Sequence, residues 1–495
     1  MALQACVMTV SENLAPSRPP KLYCWLLGIL VVACVALRAA LSAATDFSVG
    51  DAFITFRFAE QFAAGHGLVF NAGECVGGNT SVLHSLLLGL GACTGASVPL
   101  VAHIEGIVFD MGALFFLWNI LRGPAGLRSP GLHLFVLAVI FLCPLLFWYS
   151  VSGLETSLYL LLIFFLFDRT LKRIDWQWFL AVALLFFCRP DGLIAVIAAL
   201  ACLLFTHKKI PWAALVGTFF IGLAYLGYNY FLYHTAIPPT VQAKSLAYHC
   251  TVRENAFYIS SRFFFRQPWL FYTFLGVLVA ALGWRWKMPV VRLLGIAAFG
   301  YLFFLLFAPM LRSWYCAPFL TLGGGTILLA LGGVVEKLNY RRLNYFLAGL
   351  LAVYLAASFY GDKLLFQECR NWRARIRNST EREGEWFKAN TPPDARVLLE
   401  CAEIGWFSKR RIADWPGLVS PQVMAMVKAN RKVGFFEIAN KLRMDYVIIH
   451  QGWNAVDDTN VPPNFELMTT FHMAQSGGEM GAIGWTDLIY QRKGD

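Results

Sequence analysis

Asp51 stands at the head of the most polar stretch of an otherwise apolar chain, GDAFITFRFAEQFAAGHGLVFNAGE at 50–74. From Ala52 to Ala64 the apolar residues Phe53, Ile54, Phe56, Phe58 and Phe62 recur with helical spacing. Arg57, Glu60 and Gln61 share the other face, and Gly65 ends the pattern. This predicts an amphipathic helix lying on a surface, with Asp51 as its N-cap. A helix N-terminus favours the ionised form of a carboxylate, and an ionised carboxylate at a surface can serve as a general base toward a hydroxyl group. A plain capping role uses the same geometry, so the two readings stand together.

Other residues could join it. Asp46 precedes the stretch, and Glu155 heads an apolar run. Acids at membrane depth are costly and by default functional. Asp46, Asp51 and Glu155 reaching one cavity would provide a base and a possible divalent-metal site, since Mg²⁺ and Mn²⁺ prefer oxygen ligands. Glu155 reads equally well as a helix cap. His66, in Gly-His-Gly, could hydrogen-bond a phosphate or sugar, against the plainer reading of a loop histidine. Lys244, Arg253, Arg262, Arg266 and Arg312 could meet a lipid phosphate, Arg by bidentate contact and Lys as a point charge. Solvated surface is the better reading for Arg253 and Arg266. Arg189 and Asp191 read as a structural pair.

The elements that position these groups follow from composition. The 495 residues are 58% hydrophobic and only 14% charged, with mean hydropathy +0.57. Soluble globular chains carry about 25% charged residues, and several apolar runs here approach the roughly 20 residues of a membrane helix. The chain is therefore a polytopic α-helical membrane protein. Its net charge of +11 sits in short loops between apolar runs, as the positive-inside rule expects, and does not mark a nucleic-acid binder. The twelve cysteines form no CxxC pair and no Cys/His metal spacing.

Charge parity arranges about eleven membrane helices. They are 22–44, 98–121, 131–149, 156–168, a hairpin over 176–206 with Arg189-Pro190-Asp191-Gly192 at its tip, 211–233, 268–284, 293–309, 315–334 and 345–361. The first reads as an uncleaved anchor, and Ser81 to Cys93 as a juxtamembrane helix. Arg18, Lys21, Arg122, Arg128, Lys172, Arg173, Lys208, Lys209 and the basic turns at 285–287 and 337–342 then face the cytoplasm. The loop 45–97, Ser150 to Glu155 and the loop 234–267 face outward. Residues 1–361 form the membrane domain. From Asp362 the chain turns polar, with strand-like runs at 396–400, 446–450 and 488–490 and helix-like stretches at 421–430 and 434–442. This predicts a small extracytoplasmic α/β domain over 362–495.

The stretch 50–74 resembles a loop of the GT-C superfamily of polyprenyl-phosphate-sugar-dependent glycosyltransferases, in particular bacterial arabinofuranosyltransferases of the mycobacterial type. SGLETSLY at 152–159, RPDGL at 189–193, IPPTVQAKS at 237–245 and NTPPDARVLLECAEIGWFSKRRIADWPGLVSPQV at 390–423 extend the resemblance over most of the chain. It implies inverting transfer, at the extracytoplasmic face of a bacterial inner membrane, from a polyprenyl-phosphate sugar (arabinofuranose first) to a glycan, lipid or pilin. It makes Asp51 the base and Lys244 the first choice for the donor phosphate, with Arg57, His66 and Arg312 as further contacts. Relatives often carry two adjacent acids where this chain has Gly50-Asp51, which leaves Asp46 as the substitute within the loop. Transfer of mannose or another hexose keeps the same fold. A lipid-linked-sugar flippase is the reading from another class; it would call for internal repeats, and the chain shows none.

Overall fold

The computed structural model describes residues 21–127, 129–264, 267–335, 340–451, 460–472 and 486–493. Arg18, Arg128, Arg266 and the first part of the 337–342 turn lie outside the described residues.

Among the described residues five helices are long and apolar enough to cross a membrane: Lys21–Thr45, Val98–Arg122, Trp212–Tyr233, Pro289–Phe307 and Ser313–Gly332. Two bent pairs raise the number to seven if each is one span, against the eleven expected. The run expected as one span over 131–149 is bent by 58° between Pro130–Phe141 and Pro144–Ser150. Pro144 lacks the N–H that would continue the first helix. The expected hairpin is present as Trp176–Cys188 and Gly192–His207, both shorter apolar helices, with the Gly192 N–H returned to the Arg189 carbonyl at the break. Inside the bundle Arg38 is fully buried. Its Nε donates to Asp110 Oδ2 at 2.8 Å and Ser150 Oγ at 3.0 Å, and its other nitrogens to the Cys34 and Phe141 carbonyls at 3.1 Å. An apolar setting tolerates this pair because its hydrogen bonds are met.

The polar change at 362 does not coincide with a structural break. One helix runs from Tyr340 to Ile376, passes through a π turn at Arg377–Glu381 and continues as Arg382–Asn390. Beyond it lies a five-stranded mixed sheet in the order β2-β1-β3-β5-β4. The strands are β1 Arg396–Leu399, β2 Arg411–Asp414, β3 Tyr446–Gln451, β4 Phe465–His472 and β5 Thr486–Arg492. β1, β3 and β5 match the predicted runs. β2 and β4 were not anticipated: Arg-Ile-Ala-Asp is too short to show a period, and β4 is amphipathic and largely exposed. β1 pairs in parallel with β2 and β3, while β5 is antiparallel to β3 and β4. The chain passes from β1 to β2 on one side and then back across to β3 on the other. The carboxyl ends of β1 and β3 therefore flank a topological switch point, the usual place for a ligand crevice in such sheets.

The loop after the first helix builds this domain as much as it builds the membrane part. Phe58, Phe70 and Val76 share a core with Val397, Leu399, Ile404 and Ile412. The Asn71 amide donates to the Ile412 carbonyl at 2.9 Å and accepts from the Ile412 N–H at 3.1 Å, which closes the free edge of β2.

Candidate active site

The helix expected at 52–64 forms as Gly50–Ala63. Two details differ from the prediction. Val49 is the N-cap and Asp51 sits in the first turn, where the helix end still favours its negative charge. The helix is also not a surface helix: Ala52, Phe53, Thr55, Phe56, Arg57, Phe58, Ala59 and Gln61 are all buried. The C-terminal domain packs on the apolar Phe53 and Phe56 and reaches Glu60 on the face read as polar, while Arg57 and Gln61 on that face are held by Phe70 and His66 of their own loop. Phe53 packs on Phe407 with ring centres 4.7 Å apart, Phe56 lies edge-on to Trp406 at 5.8 Å, and Lys409 Nζ donates to Glu60 at 2.6 Å. A period of 3.6 marks a two-faced helix but cannot say whether water or protein covers the polar face.

This clamp holds Asp51 in a cavity of about 170 Å³ between the membrane helices and the C-terminal domain. Val49, Gly50, Asp51 and Ile54 line one wall. Lys244 and Tyr248 come from the loop 234–267, Arg312 and Tyr315 from the turn before the helix at 317, and Arg375 from the long helix. Glu400, Glu403 and Asp414 follow β1 or end β2. A smaller adjoining cavity of about 60 Å³ also touches Asp51 and Lys244 and adds Glu155 and Arg189. The structure thus brings Asp51, Lys244, Arg312 and Glu155 together around two adjoining cavities.

Lys244 lies in the last turn of the helix Pro239–Ala247. A Cβ on Gly77 would stand 2.7 Å from the Pro239 ring, so glycine lets the loop press that helix inward. The Lys244 ammonium donates to the Tyr315 hydroxyl at 2.7 Å. Burial pulls its pKa down, but the Tyr315 oxygen, Asp51 and Glu155 outweigh that and raise it, so the site holds a cation. Glu155 is the N-cap residue of the helix Thr156–Lys172 and lies 3.6 Å from Arg189 Nη1. Arg189 pairs with Asp191 through both nitrogens, at 2.9 and 3.0 Å, which supports its structural reading. It also stacks 5.0 Å above the Tyr315 ring and so backs the cavity wall.

The other expected residues lie elsewhere. Asp46 ends the first helix with φ +45°, is exposed, and pairs with Arg373 at 3.4 Å. It does not line either cavity, so it does not fill the place left by Gly50. His66 bonds Gln61 at 2.8 Å outside the cavity lining. Arg57 is buried against the Phe70 carbonyl at 3.2 Å and Glu60 at 3.3 Å, and it holds the loop. Among the described residues no three His, Cys, Asp or Glu side chains are grouped as a metal site. The Asp46–Asp51–Glu155 arrangement imagined for a divalent ion is therefore not assembled.

What the sequence reading missed comes mostly from the C-terminal domain. Burial pushes the Glu400 carboxyl up to about 7, against the pull of His450. Glu403 is likewise pushed up to about 7 by burial, with its own backbone N–H opposing and Asp51 adding to the rise. Behind them His450 Nδ1 and Asp487 Oδ1 form a short, fully buried contact. Asp414 has a structural task, accepting the Leu418 and Val419 N–H groups at 2.7 Å. The stretch LLECAEIGWF was visible as part of the family resemblance, but nothing in the sequence placed its acids beside Asp51.

Comparison with known proteins supplies the fold. A family model described as a domain of unknown function (DUF8728) matches residues 370–488, the C-terminal domain alone. No curated protein matches the chain. Among solved structures it is similar to ArnT from Cupriavidus metallidurans in the apo state, with TM-score 0.58, 12% identity, and coverage of 94% of this chain and 97% of that one. The same protein bound to undecaprenyl phosphate matches with TM-score 0.54 and 13% identity over 93% of this chain and 97% of that one. The archaeal oligosaccharyltransferase AglB from Archaeoglobus fulgidus, in complex with an inhibitory peptide and a dolichol-phosphate, matches with TM-score 0.57 and 12% identity over 86% of this chain and 69% of that one. At such low identity the likeness concerns architecture: the chain has the membrane fold shared by ArnT and AglB, joined to a small mixed-sheet domain.

Proposed function

We infer that the chain is an inverting membrane glycosyltransferase. It moves a sugar, arabinofuranose in the first instance, from a polyprenyl-phosphate donor to an extracytoplasmic glycan, lipid or pilin. The observation that carries this reading is a single cavity in which the carboxylate of Asp51 faces a wall containing Lys244, Arg312 and Arg375. A fold shared with a protein solved with undecaprenyl phosphate agrees with it.

The chemistry follows from that opposition of charge. An acceptor hydroxyl bound near Asp51 gives its proton to the carboxylate, and its oxygen attacks the anomeric carbon. The bond from that carbon to the phosphate oxygen breaks, and the lipid phosphate leaves with the electron pair. The cations meet the charge as it develops, where fixed dipoles and charges contribute most to rate. Glu400, Glu403 and Asp414 of the C-terminal domain line the same cavity, where that domain would help to bind the acceptor. Hexosyl transfer on the same scaffold is the second reading, since Lys244, Arg312 and Arg375 in the lining would meet the phosphate and not the sugar.

The test is transfer by the purified protein from labelled prenyl-phosphate arabinofuranose and prenyl-phosphate mannose to candidate acceptors. Asp51→Asn should lower kcat by about 10²–10⁴-fold, the usual worth of a general base. Unchanged transfer by that variant removes Asp51 from the mechanism. Lipid movement across vesicles without transfer makes the chain a flippase.

A further inference from the structure

Glu403 stands in the space that a side chain at position 50 would take. A Cβ built on Gly50 lies 3.0 Å from Glu403 Oε1 and 3.6 Å from its Cδ. The carboxyl group of the C-terminal domain therefore lies beside the first turn that carries Asp51, and both residues line the same cavity. Its placement is a product of the fold. Glu403 lies on the turn that follows β1, directly before the helix Ile404–Ser408, and that helix packs on the helix of Asp51 through Trp406 and Phe407. A side chain at 50 would press on that carboxyl group. The ionisable groups that act on Glu403 are Asp51, Arg312, His450, Glu383 and Cys401.

We propose that Glu403 is the second carboxyl group of the reaction site and handles the acceptor's proton together with Asp51. The inference rests on the transferase reading above. Asp51 and Glu403 line one cavity and Asp51 raises the pKa of Glu403, and carboxyl groups that interact in this way favour sharing one proton over carrying two negative charges. In the resting pair one group is ionised. The acceptor hydroxyl gives up its proton to that group as the oxygen bonds to the anomeric carbon and the lipid phosphate departs with its electron pair. The pair then holds two protons and returns one to water when product leaves. On this account the C-terminal domain is part of the catalytic centre, and a membrane domain alone is incomplete.

The experiment is transfer by the full-length protein, with kcat and KM measured separately and folding checked by gel filtration and melting. Glu403→Gln keeps the shape and loses the exchangeable acid. It should lower kcat at least tenfold while the donor KM stays within about twofold, since a proton-transfer group is typically worth 10²–10⁴. Gly50→Asp alone crowds Glu403 and should also be impaired. The double variant Gly50→Asp with Glu403→Ala carries its acid on the other side of the contact, in the first turn of the helix Gly50–Ala63, and should recover at least tenfold over Glu403→Ala. Glu403→Gln with wild-type kcat overturns the proposal, as does a double variant no better than the single. If Asp51→Asn loses transfer while Glu403→Gln keeps it, the inference fails and the transferase reading stands. Wild-type protein inactive with every prenyl-phosphate sugar removes the reading itself.

Discussion

Removing the charge of Lys244 is the sharpest test of how the cavity treats a phosphate. Lys244→Met keeps most of the stem and removes the ammonium that now bonds Tyr315. A lysine nitrogen about 4 Å from a phosphate oxygen interacts by about 4 kcal/mol at an effective dielectric constant of 20. The residue is half-buried, and Arg312 and Arg375 line the same cavity and share the anion. About half of that interaction, ~2 kcal/mol, belongs to Lys244 alone. At 1.36 kcal/mol per decade this is about a 30-fold loss in kcat/KM for the donor. The phosphate gains negative charge as its bond to the sugar breaks, so part of the loss should appear in kcat. Lys244→Arg retains charge with the wrong shape and should fall between. The assay is initial-rate transfer over a donor series, with melting curves to confirm folding. A folded Lys244→Met protein within twofold of wild type refutes the assignment of Lys244 to the donor phosphate.

Three further outcomes follow from the geometry. Asp110→Ala leaves the fully buried Arg38 guanidinium without its counter-charge and should cost about 3–5 kcal/mol; pairing it with Arg38→Met should recover much of the loss in detergent melting curves. Asn71→Ala strips two hydrogen bonds from the buried Ile412 backbone. It should cost about 1–3 kcal/mol and speed amide exchange in β2, and unchanged exchange there would show that the loop does not secure the sheet edge. The carboxyl of Glu400 is raised in the fold to about 7 from its ordinary value of 4.5, so the folded state binds its proton more tightly than the unfolded chain. Its contribution is full below about pH 4.5 and is lost as pH rises through 7. His450, raised by Asp487 against the effect of burial, acts in the same direction. Melting temperature should therefore fall between pH 5 and 8, and Glu400→Gln should flatten that fall; a slope that the substitution leaves unchanged refutes the link.

Much of the architecture was legible because lipid imposes simple rules. Apolar length marked the helices at 21–45, 98–122 and 212–233, and Pro190 with Gly192 marked the hairpin. Charge parity alone put Glu155, Lys244 and Arg312 on the side of Asp51, and all four meet at the cavities. The failures have local causes. Asp46 was read as a functional acid, but it has the backbone of a helix terminator, which its residue type does not reveal. Arg57 and His66 were expected to meet the donor phosphate, on their residue types and on the family-like loop they share with Asp51. A helix turns side chains 100° per residue, so neighbours in sequence point apart. The break at Pro144 was written in the sequence and was passed over because the apolar run continued through it.

The sequence by itself determined that this chain is a helical membrane protein with a polar domain at its C-terminus, and that Asp51 sits on the same face as Lys244. Those properties depend on composition, period and the sign of charge, which are carried by neighbouring residues. Tertiary structure alone decided what stands beside Asp51. Glu403 is more than 350 positions away in the chain, and no local pattern encodes its approach. It arrives because β1 ends at a topological switch point, because Asn71 ties the first loop to β2, and because the helix after Glu403 packs through Trp406 and Phe407 on the helix of Asp51.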